Sequence, residues 1–62
     1  MEEKQAEADR LLMQGFKQYE TSQFREAILS FQEALQIYQE IGDRRGEVNS
    51  LGNLGIAYQS LG

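Results

Sequence analysis

FREAILSFQEALQIYQEIGD, residues 24–43, places an apolar residue every three or four positions. Phe24, Ala27, Ile28, Phe31, Ala34, Leu35, Tyr38 and Ile41 make one stripe of a helix, with Glu26, Gln32, Glu33, Gln36, Gln39 and Glu40 on the wet side. The stretch predicts a helix over about 23–41. Gly42 is suited to the left-handed conformation that ends helices, and Asp43 to capping the start of the next one.

Upstream, Ala8, Leu11, Leu12, Phe16 and Tyr19 repeat with helical spacing, and Gly15 lies on the same line. Together they predict a first helix over about 2–20, whose opening Glu2, Glu3 and Glu7 suit the positive end of a helix dipole. Thr21-Ser22-Gln23 breaks the pattern, because short polar side chains compete for backbone hydrogen bonds and favour turns.

Downstream, Val48, Leu51, Leu54, Ala57, Tyr58 and Leu61 predict a third helix over about 44–61. These residues spread over roughly half the helix circumference, more than one neighbouring helix covers. Gly52 and Gly55 weaken a helix by about 1 kcal/mol each relative to alanine, so close approach of another backbone is expected there. Gly55→Leu, like Ala27→Leu, is then expected to push helices apart. Asn49, Asn53 and Ser60 form a polar strip on another side, flanked by Ile56. The predicted fold is all-α, a single domain over 1–62 made of three antiparallel helices.

Composition removes most chemistry. The 62 residues contain no Cys, His, Pro or Trp, so there is no thiol or imidazole to activate a serine and none to bind a metal. Paired acids such as Glu3 and Glu7 read as solvated surface, and no enzyme activity or cofactor is expected. Gly42-Asp43-Arg44-Arg45-Gly46 lacks the Lys-Ser/Thr of a phosphate loop and reads as a helix cap. Ten acidic against six basic residues, net charge −4, disfavour nucleic acid, whose affinity comes from clustered Lys and Arg. The apolar run Leu11-Leu12-Met13 is far shorter than the roughly 20 residues that span a bilayer, so no membrane partner is expected and the chain reads as cytoplasmic. Arg44 and Arg45 are expected to pair with Glu40 or Glu47, and Tyr19, Tyr38 and Tyr58 to pack on apolar faces.

A shift of 40 residues lays Leu11 on Leu51, Gly15 on Gly55 and Ser22 on Gly62. Such a period, with two helices per unit, points to a solenoid. Gly15, Tyr19, Phe24, Glu26-Ala27, Phe31 and Ala34-Leu35, followed by Leu54-Gly55, Ala57-Tyr58 and Gly62, resemble the tetratricopeptide repeat (TPR) family. The resemblance covers nearly the whole chain, about one and a half repeats of a helix-turn-helix solenoid. Gly42-Asp43-Arg44-Arg45 and Asn53-Leu54-Gly55 look like the 40-residue subclass found in kinesin light chains, cell-polarity scaffolds and bacterial signalling arrays. Gln14 and Ser22 depart from the family's leucine and glycine, as suits a first repeat whose outer face meets water.

The resemblance implies a non-catalytic module that binds a protein or peptide. It assigns the first helix of each repeat to a concave groove, and Asn53 resembles the asparagine that bonds a peptide backbone. The groove candidates are Asn49, Asn53, Ile56 and Ser60, with Asp9, Met13, Phe16 and Glu20 at the matching positions of the first helix. Phe16 is expected to pack between helices rather than stand open. Leu51, Leu54, Tyr58 and Leu61 are expected to be half exposed and to drive self-association as a homodimer or higher homo-oligomer through the third helix. The alternative is a purely structural piece, a designed or excised minimal repeat whose one activity is assembly with copies of itself.

Overall fold

The computed structural model describes residues 2–62. Three helices follow one another, α1 (Glu2–Glu20), α2 (Phe24–Ile41) and α3 (Arg44–Leu61), each antiparallel to the one before. The expected boundaries hold to within one residue, because local chemistry sets them. At the end of α1 the Gln23 N–H reaches the Gln18 carbonyl and the Ser22 N–H the Tyr19 carbonyl. At the end of α2 the Asp43 N–H reaches Tyr38 and the Gly42 N–H reaches Gln39 in the same pattern. Both are Schellman endings, which place one residue in the left-handed region. Gly42 takes that place at φ 74° without strain; Ser22 takes it at φ 64° with a Cβ. The Thr21 hydroxyl donates to the carbonyls of Lys17 and Gln18, satisfying helix-end acceptors. Asp43 then caps α3, its carboxylate accepting the Gly46 N–H at 3.1 Å.

The middle helix, α2, carries the core on two faces. Toward α1, Ala34 and Tyr38 bury against Ala8, with Leu11 and Leu12 alongside. Toward α3, Ala27, Ile28 and Phe31 bury against Leu54 and Ala57. Close approach depends on two glycines. A Cβ on Gly15 would collide with the Phe31 ring, and a Cβ on Gly46 with the Tyr38 ring. Gly52 and Gly55, where close approach was expected, have nothing within 4 Å of such a Cβ. Both face away from α2, so the expected overpacking by Gly55→Leu does not apply within this chain.

The polar core has one loose end. Ser30 donates to Gln18 Oε1 at 2.6 Å, but the Ser50 hydroxyl, fully buried, has no partner among the described residues. A buried unpaired hydroxyl costs about 1–3 kcal/mol, and alanine is also the better helix former. Ser50→Ala is therefore expected to raise Tm by about 4–8 °C per kcal/mol gained in a domain of this size. A thermal melt followed by circular dichroism that shifts downward would mean that Ser50 has a partner.

The expected ion pairs of Arg44 and Arg45 are absent among the described residues. The ion pair present joins α1 to α2, Lys4 to Glu40 at 3.4 Å. Glu47 instead accepts from Gln39 at 3.3 Å, and both arginines stand exposed at the start of α3. Cations gain nothing from a helix N-terminus, so no local force holds them to their own helix. Of the tyrosines, Tyr38 is buried and Tyr19 half-buried, whereas Tyr58 is 49% exposed and accepts from Gln32 Nε2 at 3.0 Å.

Candidate functional site

Because α1 and α3 both lie on α2 and scarcely touch each other, a groove runs between them. Its upper part is a cleft of about 460 Å³ with Leu12 and Phe16 on one wall and Val48, Asn49, Asn53 and Ile56 on the other. It continues into a hollow of about 310 Å³ with Tyr19, Glu20 and Phe31 at its sides. Phe16, Asn53 and Ile56 line both, so these three form the waist of one groove.

Each residue at the waist has a different job available. Phe16 meets Phe31 edge to face, ring centroids 5.7 Å apart, yet remains 43% exposed. It was expected between helices; its inner edge is there, and its outer face is open because α3 stands off from α1. Ile56 opposes it at 51% exposure. Asn53 is half-buried and its amide makes no hydrogen bond among the described residues, as is true of Asn49. An amide donates and accepts at once, so Asn53 offers the complement of a peptide unit between two apolar anchors.

The remaining candidates are placed differently. Ser60 is committed: its hydroxyl donates to the Ile56 carbonyl at 3.1 Å and so accepts the Tyr19 hydroxyl at 2.9 Å, tying α3 to α1. Asp9 accepts from the Tyr38 hydroxyl. Met13 does not join the groove; it is 62% exposed in a separate hollow with Arg10, Gln14 and Lys17 on the outer side of α1. Leu54, expected on an exposed face, is 8% exposed in the core against α2, because it shares its line of the helix with Ser50 and Ala57. Leu51, Tyr58 and Leu61 stay open at 51%, 49% and 46%. Sequence reasoning missed Leu12, Tyr19 and Val48 as groove walls. Their signal was only an apolar residue at the edge of a helical stripe, which burial and a groove wall satisfy equally well.

Behind the groove, burial pushes the Tyr38 hydroxyl well above its ordinary pKa, and its hydrogen bond to Asp9 and the charges of Asp9 and Asp43 push the same way. The sign follows from the neutral phenol being the favoured folded form. Above about pH 10 the unfolded chain releases this proton while the folded chain keeps it, so stability is whole below that pH and falls as pH rises further. Tyr38→Phe should flatten that alkaline decline in denaturant titrations and cost about 1 kcal/mol at neutral pH through the lost hydrogen bond. An equally steep decline in the variant would place its cause elsewhere.

No group of three or more Asp or Glu side chains among the described residues could hold a metal ion, and no helix is long and apolar enough to cross a membrane. Compared with protein-family models, curated proteins and solved structures, the chain gives no match.

Proposed function

We propose that this chain is a non-catalytic protein-interaction module of the TPR type, which holds an extended peptide in the groove between α1 and α3. The observation that carries this reading is the unpaired, half-buried amide of Asn53 set between the half-exposed Phe16 and Ile56. Two apolar anchors supply affinity through burial, and the amide fixes the register of a peptide backbone between them. The 40-residue shift and the nesting of Phe31 on Gly15 support the repeat assignment.

The test is a displayed library of random linear peptides panned against the purified chain and, in parallel, against its Asn53→Ala variant. Peptides enriched on the wild type should lose about 5- to 100-fold in affinity on the variant, the equivalent of about 1–3 kcal/mol for an unmet peptide group. Failure to enrich any peptide, or equal binding by both proteins, would remove the groove reading. The second reading, a structural piece that assembles with itself, rests on the open Leu51, Tyr58 and Leu61. It calls for self-association that Asn53→Ala leaves untouched.

A further inference from the structure

Acids outnumber bases along the groove. A polar hollow of about 160 Å³ near the starts of α1 and α3 shares Leu12 and Asn49 with the central cleft and so extends the groove at that end. Asp9, Asp43 and Arg45 line this first hollow, the cleft has no charged wall, and Glu20 is the one charged residue of the hollow at the far end. Asp9 and Asp43 are engaged, the first by the Tyr38 hydroxyl, the second by the Gln5 amide and the Gly46 N–H. Glu20 is exposed and has no ion-pair partner among the described residues.

Its place in α1 makes that carboxylate unusual. Glu20 is the last residue of the helix, where the dipole disfavours an acid. Lys17, one turn earlier, lines the hollow on the outer side of α1 and leaves the charge unanswered. What Glu20 has beside it is an aromatic lining. The Phe16 ring rests edge to face on Phe31 and keeps 43% exposure. The Tyr19 ring is held edge to face by Phe24, centroids 5.2 Å apart, and its hydroxyl is spent on Ser60. This hollow of about 310 Å³ therefore offers fixed apolar walls and a single charge.

We infer that the hollow takes an arginine or lysine side chain of the bound peptide, its stem against Phe16 and Ile56 and its cationic head at Glu20. The inference rests on the groove holding a peptide, and it assigns the charge of the residue that fills the Glu20 end. Long basic side chains lay their aliphatic stems on apolar surface while the head stays with a polar partner, and aromatic faces attract a cation. An acidic side chain would meet Glu20 with like charge, and an aliphatic one would crowd the carboxylate without pairing it. Arginine is favoured over lysine, because its planar fork both stacks on a ring and pairs with a carboxylate.

The test reads which peptides the displayed random library yields. Those enriched on the wild type should carry arginine or lysine at one fixed spacing from their apolar residues. They are then resynthesised with acetylated amino termini, so that only a side chain supplies the cation, and titrated by fluorescence anisotropy. Glu20→Gln should bind them about two- to fivefold more weakly. Replacing their basic residue by glutamine should cost as much on the wild type and nothing further on Glu20→Gln. Glu33→Gln changes the net charge equally at an exposed site of α2 that lines no part of the groove, and it should leave binding unchanged. Glu20→Gln removes an acid from a helix end, so weaker binding would not reflect unfolding. Enriched peptides without a basic residue, equal losses in Glu20→Gln and Glu33→Gln, or binding lost on acetylation each overturn the inference and leave the groove reading in place. A library that yields no peptide removes both.

Discussion

Phe31→Ala should leave the chain largely unfolded at 25 °C. The Phe31 ring is 1% exposed and joins both sides of the fold, lying over Gly15, edge to face with Phe16, and in one cluster with Leu54 and Ala57. Truncating a buried phenylalanine costs about 3–5 kcal/mol. A domain of this size without disulfide or metal holds about that much stability in total. Far-ultraviolet circular dichroism should therefore lose most of its helical signal, since most helical stability in proteins comes from tertiary packing of an amphipathic face. A variant that keeps a cooperative melt within a few degrees of the wild type would show that α1 and α3 do not depend on this ring.

The second large effect is one of sign. Gly15→Ala and Gly46→Ala should destabilise, whereas Gly52→Ala and Gly55→Ala should stabilise, although all four replace glycine by alanine inside a helix. Alanine gains about 1 kcal/mol of helix propensity at every such position. At Gly15 and Gly46 the new methyl meets Phe31 and Tyr38, rings 1% and 2% exposed that have nowhere to go. Overpacking of this kind costs about 1–3 kcal/mol and offsets or exceeds the gain. At Gly52 and Gly55 nothing stands in the way. Thermal melts should move down for the first pair and up by about 4–8 °C for each of the second. A common direction for all four would mean that helix propensity, not contact between helices, governs these sites.

The glycines also mark where the sequence stops being informative. Nothing local distinguishes Gly15 from Gly55, which coincide under the 40-residue shift and lie on corresponding faces. One is in contact and the other is open because α2 covers one face of α1 and a different face of α3. The same cause moved Leu54 from the expected exposed set into the core. For the groove, the residue types were legible: Asn53 and Ile56 stood out as a polar strip with an apolar flank. That Phe16 joins them, that Ser60 is already spent on Tyr19, and that Met13 lies elsewhere depended on how α1 and α3 are set apart on α2.

Helix extents and ends follow from the order of residues alone, because the forces that set them act within five positions along the chain: the 3.6-residue period, the Asp43 cap, and the left-handed turns at Ser22 and Gly42. Which of several apolar faces is buried, which glycine lies under a ring and which asparagine is half-buried in the groove were decided by helix docking. That choice sums contacts between residues far apart in sequence, and the period of a single helix holds no record of them.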